Sequence, residues 1–155
     1  MKRIWISLIA LAALGAVAQE QEVQSGTPAL LEAINGKQAR VFLQRLEDGK
    51  LTFQAYKSNR DMTVPASKVK SLTFYPKYDA EAVEQQFNTG DYSTVLSTLD
   101  PLMKSFWDYM VVDNNMRDAF CMLMDTYYKS GDFPKTRKAA NILLETGDPG
   151  LVQRG

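Results

Sequence analysis

The sequence predicts an α+β fold in which a small antiparallel β unit, either barrel-like or a meander, precedes antiparallel α-hairpins. Two observations support this prediction. Between residues 38 and 75, apolar and polar residues alternate with the period of two that is typical of half-buried strands. From Tyr78 onward, apolar residues recur every three or four positions, as they do on one face of a helix. The change near residue 76 therefore predicts two structural parts.

The first eighteen residues have the organisation of a secretory signal peptide. Met1–Arg3 is basic, Ile4–Leu14 is almost entirely apolar, and Ala16–Ala18 supplies the small residues of a cleavage site. The apolar run is shorter than the roughly 20 residues that a membrane-spanning helix needs. We expect cleavage of 1–18, export to the periplasm or out of the cell, and no stable membrane insertion afterwards. An uncleaved membrane anchor is the alternative.

The segment that follows, 19–36, is interpreted as a linker with a short helix. Its apolar residues lie in Pro28–Ile34, just before the turn pair Asn35-Gly36. A short apolar run of this kind fits a helix or a first strand, since periodicity does not separate the two. Both interpretations stay open at this point.

Residues 37–76 are predicted to form the β unit. Two alternating runs flank Asp48-Gly49, a pair typical of tight β-hairpins because both residues tolerate positive φ. A short strand over Met62–Val64, a turn or single helical turn over Pro65–Lys68 and a last strand over Val69–Phe74 follow. This order resembles the SH3-like and Sm-like small barrels. A simple meander packed on the downstream helices is the alternative.

Residues 77–155 are predicted to be helical. Asp79 is a plausible N-cap for the first helix, and Gly90 is placed to end it. The apolar faces predict four helices at about 79–88, 92–103, 115–127 and 134–145. The last one is expected to stop at the Gly- and Pro-containing segment 146–150. The only cysteine, Cys121, lies in an apolar stretch and is predicted to be buried in the core.

Two similar turns join these predicted helices. Phe87–Val95 contains Gly90, Asp91 and Tyr92, and Tyr128–Thr136 contains Gly131, Asp132 and Phe133. Both strings resemble the inter-helix corner of tetratricopeptide repeats. The resemblance implies two stacked hairpins, with Asp148–Leu151 as the start of a third. It also implies that the aromatic residue of each corner packs back between the helices, and that the stack offers a concave surface to a peptide or protein.

Composition excludes several classes of function. The 155 residues include 18 Lys+Arg, 18 Asp+Glu and no His. Without histidine, Ser-His-Asp and Cys-His catalytic arrangements and imidazole metal sites are excluded. A net charge of zero argues against binding to nucleic acid, which requires clustered positive charge. With no phosphate-binding glycine motif either, we expect no catalytic residue, no metal and no cofactor.

Candidate partner-binding residues lie in two short segments. Trp107 and Tyr109 are aromatic types enriched at interaction hot spots, although core packing is the better interpretation of such rings on a helix. Lys135, Arg137 and Lys138 form a basic patch at the start of the fourth predicted helix. That patch fits an acidic partner, and an ordinary solvated face is the alternative.

These expectations favour an exported, non-enzymatic scaffold of the bacterial envelope that binds a protein or peptide through its helical hairpins. The alternative is a module in which the β unit binds cell-wall glycan or peptide, as some exported SH3-like domains do. Two visible repeats are fewer than the three that usually make a stable solenoid, so association of two chains through their last helices is a further expectation.

Overall fold

The computed structural model describes residues 25–58 and 60–145. In this part of the chain an antiparallel sheet precedes four helices, which confirms the predicted α+β class. The strands are β1 Thr27–Ala33, β2 Gln38–Glu47, β3 Lys50–Ala55, β4 Asp61–Pro65 and β5 Val69–Phe74. The helices are α1 Ala80–Thr89, α2 Tyr92–Met103, α3 Arg117–Lys129 and α4 Phe133–Glu145, with 3₁₀ turns at Ala66–Lys68 and Trp107–Tyr109. The predicted signal peptide and the segments 146–150 and Asp148–Leu151 lie outside the described residues.

The five strands form one sheet in the order β4-β3-β2-β1-β5, with every neighbouring pair antiparallel. The first four strands follow one another as a meander, and β5 returns to the free side of β1. The predicted hairpin joins β2 to β3, where Asp48 and Gly49 have φ values of 50° and 67°. Positive φ at both positions is the geometry that matches the twist of two paired strands.

The N-terminal boundary of the β unit corrects the sequence prediction. Of the two interpretations left open for Pro28–Ile34, the first strand is correct: Thr27–Ala33 is an interior strand of the sheet. The assignment of 19–36 to a linker with a short helix is therefore wrong there, and the β unit begins at residue 27 rather than 37. Ala29 and Leu31 are buried, whereas Leu30 between them is only partly covered. Pairing with β2 and β5 on both sides overrides the helical propensity of alanine, leucine and glutamate.

The sheet and the helices share one hydrophobic core. Phe74 at the end of β5 is 1% exposed, and its ring centroid lies 4.6 Å from that of Phe106 and 6.1 Å from that of Tyr109. The backbone N–H of Leu72 donates to the carbonyl oxygen of Asp113 at 2.8 Å. Cys121 is buried in the same cluster, as predicted. The change near residue 76 is therefore a change of secondary structure within a single packed unit.

The segment before α3 covers the outer edge of β5. The side chain of Asn115 accepts a hydrogen bond from Phe74 N–H at 2.8 Å and donates one to the Phe74 carbonyl oxygen at 3.0 Å. One amide side chain thus takes the place of a neighbouring strand. An uncovered edge is a template for unwanted pairing with other chains, so this contact protects the sheet.

Both predicted corners join neighbouring helices in the same way. Gly90 and Gly131 adopt φ values of 80° and 83°, which glycine tolerates without strain. The side chain of Asp91 accepts from Thr94 N–H at 3.3 Å, and that of Asp132 accepts from Lys135 N–H at 3.2 Å. Each corner therefore ends one helix and caps the next.

The corner aromatics are less buried than the family resemblance implies. Tyr92 packs edge-on against Phe87, and Phe133 packs edge-on against Tyr128, each pair with ring centroids 6.0 Å apart. Tyr92 is partly covered, but Phe133 stays 60% exposed. The expectation that Phe133 packs back between the helices is wrong, because its ring covers only the end of α3.

Candidate functional site

A concave surface lies where the turn Trp107–Tyr109 meets α4. Two adjoining depressions share Trp107, Asp108 and Lys138, and we call them together the Trp107 groove. The sheet arm, of about 400 Å³, is also lined by Leu46, Asp48, Ala66, Val111, Ile142 and Glu145. The helix arm, of about 310 Å³, is also lined by Asp100, Lys104, Tyr127 and Lys135. The groove therefore uses residues from both parts of the fold.

Trp107 is the central side chain of this groove. Its ring is partly buried and packs edge-on against the fully buried Phe120, with centroids 4.9 Å apart. The ammonium nitrogen of Lys138 lies 5.1 Å from the centroid of the same ring, at a distance suited to a cation–π contact. The indole Nε1–H is buried and has no hydrogen-bond partner within the described residues. A buried donor without an acceptor is unfavourable by about 1–3 kcal/mol.

A hydrogen-bonded cluster around Asp100 forms the wall of the helix arm. The Tyr127 hydroxyl donates to Asp100 Oδ1 at 2.9 Å, and Lys135 Nζ donates to Asp100 Oδ2 at 3.2 Å. Lys135 also lies 3.5 Å from Asp132 Oδ2. Partial burial of Asp100 favours its protonated form, but the hydrogen bonds from Tyr127 and Lys135 outweigh this effect and lower the pKa of its carboxyl group. The hydrogen bond to Asp100 raises the pKa of Lys135.

The lowered pKa of Asp100 predicts how stability depends on pH. A carboxyl whose pKa is lower in the folded state stabilises the fold above its ordinary pKa of 3.8, and this contribution is lost as the pH falls through the folded value. Because the pair with Lys135 is partly solvated, we expect Asp100→Asn to lower the free energy of unfolding by only about 0.5–1 kcal/mol at pH 7. The difference in the free energy of unfolding between the parent chain and Asp100→Asn should become smaller below pH 4. Urea denaturation at pH 7, 5 and 3 measures it.

The exposed Glu84 on α1 offers a matched control for this measurement. Glu84→Gln removes a carboxylate that lies far from the groove and has no ion pair within the described residues. It should leave stability at pH 7 nearly unchanged. If Asp100→Asn lowers the free energy of unfolding as much at pH 3 as at pH 7, the stabilisation does not come from the ionised carboxylate of Asp100.

The structure separates the predicted partner-binding residues. Trp107, Lys135 and Lys138 line one groove, whereas Arg137 is exposed on α4 outside it. Tyr109 is 5% exposed and packs on Phe74, in agreement with core packing, the better of the two interpretations of these rings, rather than with contact to a partner. In a 3₁₀ turn successive side chains point about 120° apart, which sends Trp107 toward the groove and Tyr109 into the core.

Sequence reasoning missed the other groove residues. Leu46 and Asp48 come from the hairpin that joins β2 to β3, Asp100 from α2 and Glu145 from the end of α4. They are far apart in the sequence, and no local pattern marks them as neighbours. The one available signal was Trp107 itself, a large aromatic side chain beside an acidic residue.

No match is found when the chain is compared with protein-family models, with curated proteins and with solved structures. Within the described ranges, no three His, Cys, Asp or Glu side chains are grouped in a way that would hold a metal ion. The helices of those ranges are too short or too polar to traverse a lipid bilayer. Function must therefore be inferred from the geometry of the groove.

Proposed function

We propose that this protein is an exported, non-enzymatic binding protein whose Trp107 groove holds a short segment of a partner protein. The observation that carries the proposal is Trp107, whose partly buried ring lines both arms of an open groove. Tryptophan is enriched among residues that dominate binding energies, because it offers a large apolar face and one directional donor. Export depends on the predicted signal peptide 1–18.

The helical half is best grouped with tetratricopeptide-like hairpins. Support comes from the two corners, which share a glycine of positive φ, an aspartate cap and an edge-on ring pair at 6.0 Å. The sheet half is best grouped with SH3-like modules. Support for that grouping comes from β5 lying beside β1 and from the 3₁₀ turn that precedes β5.

A second candidate function is glycan binding on the outer face of the sheet. Phe42 and Tyr56 lie on this face with ring centroids 6.4 Å apart and planes 15° apart, and Tyr56 is 54% exposed. Gln54 is the cross-strand partner of Phe42. Arg40 lies two residues before Phe42 on β2 and therefore on the same face. Nearly parallel rings beside amide and guanidinium donors suit a sugar, which has apolar faces and hydroxyl edges.

Tryptophan fluorescence gives a direct test of the groove. The chain has two tryptophans, Trp5 and Trp107, so Trp5→Phe leaves Trp107 as the only indole. Unstructured nonapeptides with a central leucine should change the Trp107 emission on binding, whereas soluble cell-wall glycan fragments should not. Trp107→Ala should weaken binding of fluorescein-labelled peptides by about thirtyfold, the effect of a hot-spot residue, as measured by anisotropy.

Two further variants separate the candidate functions. Tyr128→Ala removes an exposed ring that lies outside both surfaces and should leave every affinity unchanged. Tyr56→Ala should do the same if the groove is the binding site. Loss of glycan binding in Tyr56→Ala, together with no peptide binding by the parent chain, would favour the second candidate instead.

A further inference from the structure

The charges of the Trp107 groove are divided between its two arms. In the sheet arm, the carboxylates of Asp48, Asp108 and Glu145 face a single ammonium group, that of Lys138. These three carboxylates form no ion pair within the described residues, and all three residues are exposed. The sheet arm therefore offers negative charge that the fold itself does not neutralise.

The helix arm has one more ammonium group than carboxylates among its lining residues, and its Asp108 and Lys138 also line the sheet arm. Lys104, Lys135 and Lys138 face the carboxylates of Asp100 and Asp108. Lys135 is held by Asp100 and Asp132, so this part of the predicted basic patch is already neutralised. Lys104 has no ion pair of its own within the described ranges. Positive charge in this arm therefore comes mainly from Lys104 and Lys138.

Apolar side chains line the sheet arm between its charged groups and Trp107. Leu46, Ala66, Val111 and Ile142 are partly buried and line the sheet arm beside the Trp107 ring. An occupant that buries apolar surface here gains roughly 25 cal/mol per Å². Its charges would then determine the direction in which it lies, because opposite charges across an interface fix register more than they add affinity.

We propose that the partner is a short segment of mixed charge, with an apolar residue on Trp107, basic residues in the sheet arm and acidic residues in the helix arm. This inference rests on the proposed function of the groove. It replaces the purely acidic partner that the basic patch suggests in the sequence. A partner of uniform charge would meet repulsion in one arm, whereas a segment of mixed charge is attracted by both.

Four labelled nonapeptides test this charge pattern by anisotropy. Each has a central leucine, flanked on its two sides by lysine pairs, by glutamate pairs, by glutamine pairs, or by a lysine pair on one side and a glutamate pair on the other. The mixed peptide should bind about fivefold more tightly than the glutamine peptide, since partly solvated ion pairs contribute modestly. The preference should decrease between 50 and 500 mM salt.

Matched variants show which arm recognises which charge. Asp48→Asn combined with Glu145→Gln should reduce the advantage that the lysine pair confers and leave that of the glutamate pair in place. Lys104→Gln should instead reduce the advantage that the glutamate pair confers and leave that of the lysine pair in place. None of these exposed substitutions is expected to affect folding, which circular dichroism verifies.

The outcomes distinguish this inference from the function on which it rests. Equal binding of all four peptides, or tightest binding of a uniformly charged one, would overturn the charge pattern and leave peptide binding intact. Binding of none would count against the proposed function itself. The synthetic peptide 146–155 is included in the assay, and if it binds more tightly than the mixed peptide, the occupant is a segment of this chain rather than a separate partner.

Discussion

Replacing Phe74 with alanine is expected to lower the free energy of unfolding by about 3–5 kcal/mol, the usual range for a fully buried phenylalanine. The ring is 1% exposed and fills the space between β5 and the turn that carries Trp107, where it contacts Phe106 and Tyr109. Its removal exposes apolar surface and leaves a cavity where the sheet meets the helical part. Urea denaturation of the Trp5→Phe chain measures the loss.

Tyr75 provides a control one residue away. Its side chain is 62% exposed, so Tyr75→Ala should change the free energy of unfolding by no more than about 0.5 kcal/mol. Because the core is continuous, Trp107 emission and far-ultraviolet circular dichroism should report one transition at the same urea concentration. A loss below 1 kcal/mol in Phe74→Ala, or two separate transitions, would contradict a core shared by both halves.

The elements that could be predicted from the sequence are those defined by local chemistry. Asp48-Gly49 specifies a hairpin because both residues accept positive φ, and this turn is found. Asp79 caps α1 by accepting from Ala82 N–H at 3.0 Å, and Gly90 ends the helix. In each case the signal lies within four residues, so no tertiary contact was needed to recognise it.

The first strand could not be predicted with the same certainty because its partners are distant. Ala29 pairs with Val41 in β2 and with Phe74 in β5. In the sequence, the other three strands lie between β1 and β5. The local sequence of β1 is rich in leucine, alanine and glutamate, and these residue types favour helices. Thr27–Ala33 is an interior strand only because β5 pairs with its second edge.

The candidate site shows the same limit. Trp107 and Lys138 were recognised by residue type, yet their contact across 5.1 Å arises because α4 folds back beside the turn. The acidic sheet arm depends on Asp48 and Glu145, which lie far apart in the sequence. Residue type therefore indicates which side chains can bind, but packing determines which of them face a common groove.

Asn114 is the polar residue whose loss should affect the fold most. It is 8% exposed and lies between the turn Trp107–Tyr109 and α3. Its side-chain amide donates to the carbonyl oxygens of Val112 at 2.7 Å and Tyr109 at 3.3 Å, and its oxygen accepts from Met116 N–H at 2.9 Å. One side chain thus satisfies three backbone groups in a segment that has no regular structure.

Asn114→Leu is expected to lower the free energy of unfolding by about 2–4 kcal/mol, because leucine has a similar size but leaves these backbone groups without partners in the core. Urea denaturation measures the loss, and Asn88→Leu, at an exposed position of α1, should stay within about 0.5 kcal/mol. Because Asn114 holds the carbonyl of Tyr109, the variant should also bind the leucine nonapeptides more weakly under conditions where it is fully folded. Unchanged stability would mean that solvent or neighbouring groups satisfy the three backbone atoms, and that Asn114 does not fix the position of the turn that presents Trp107.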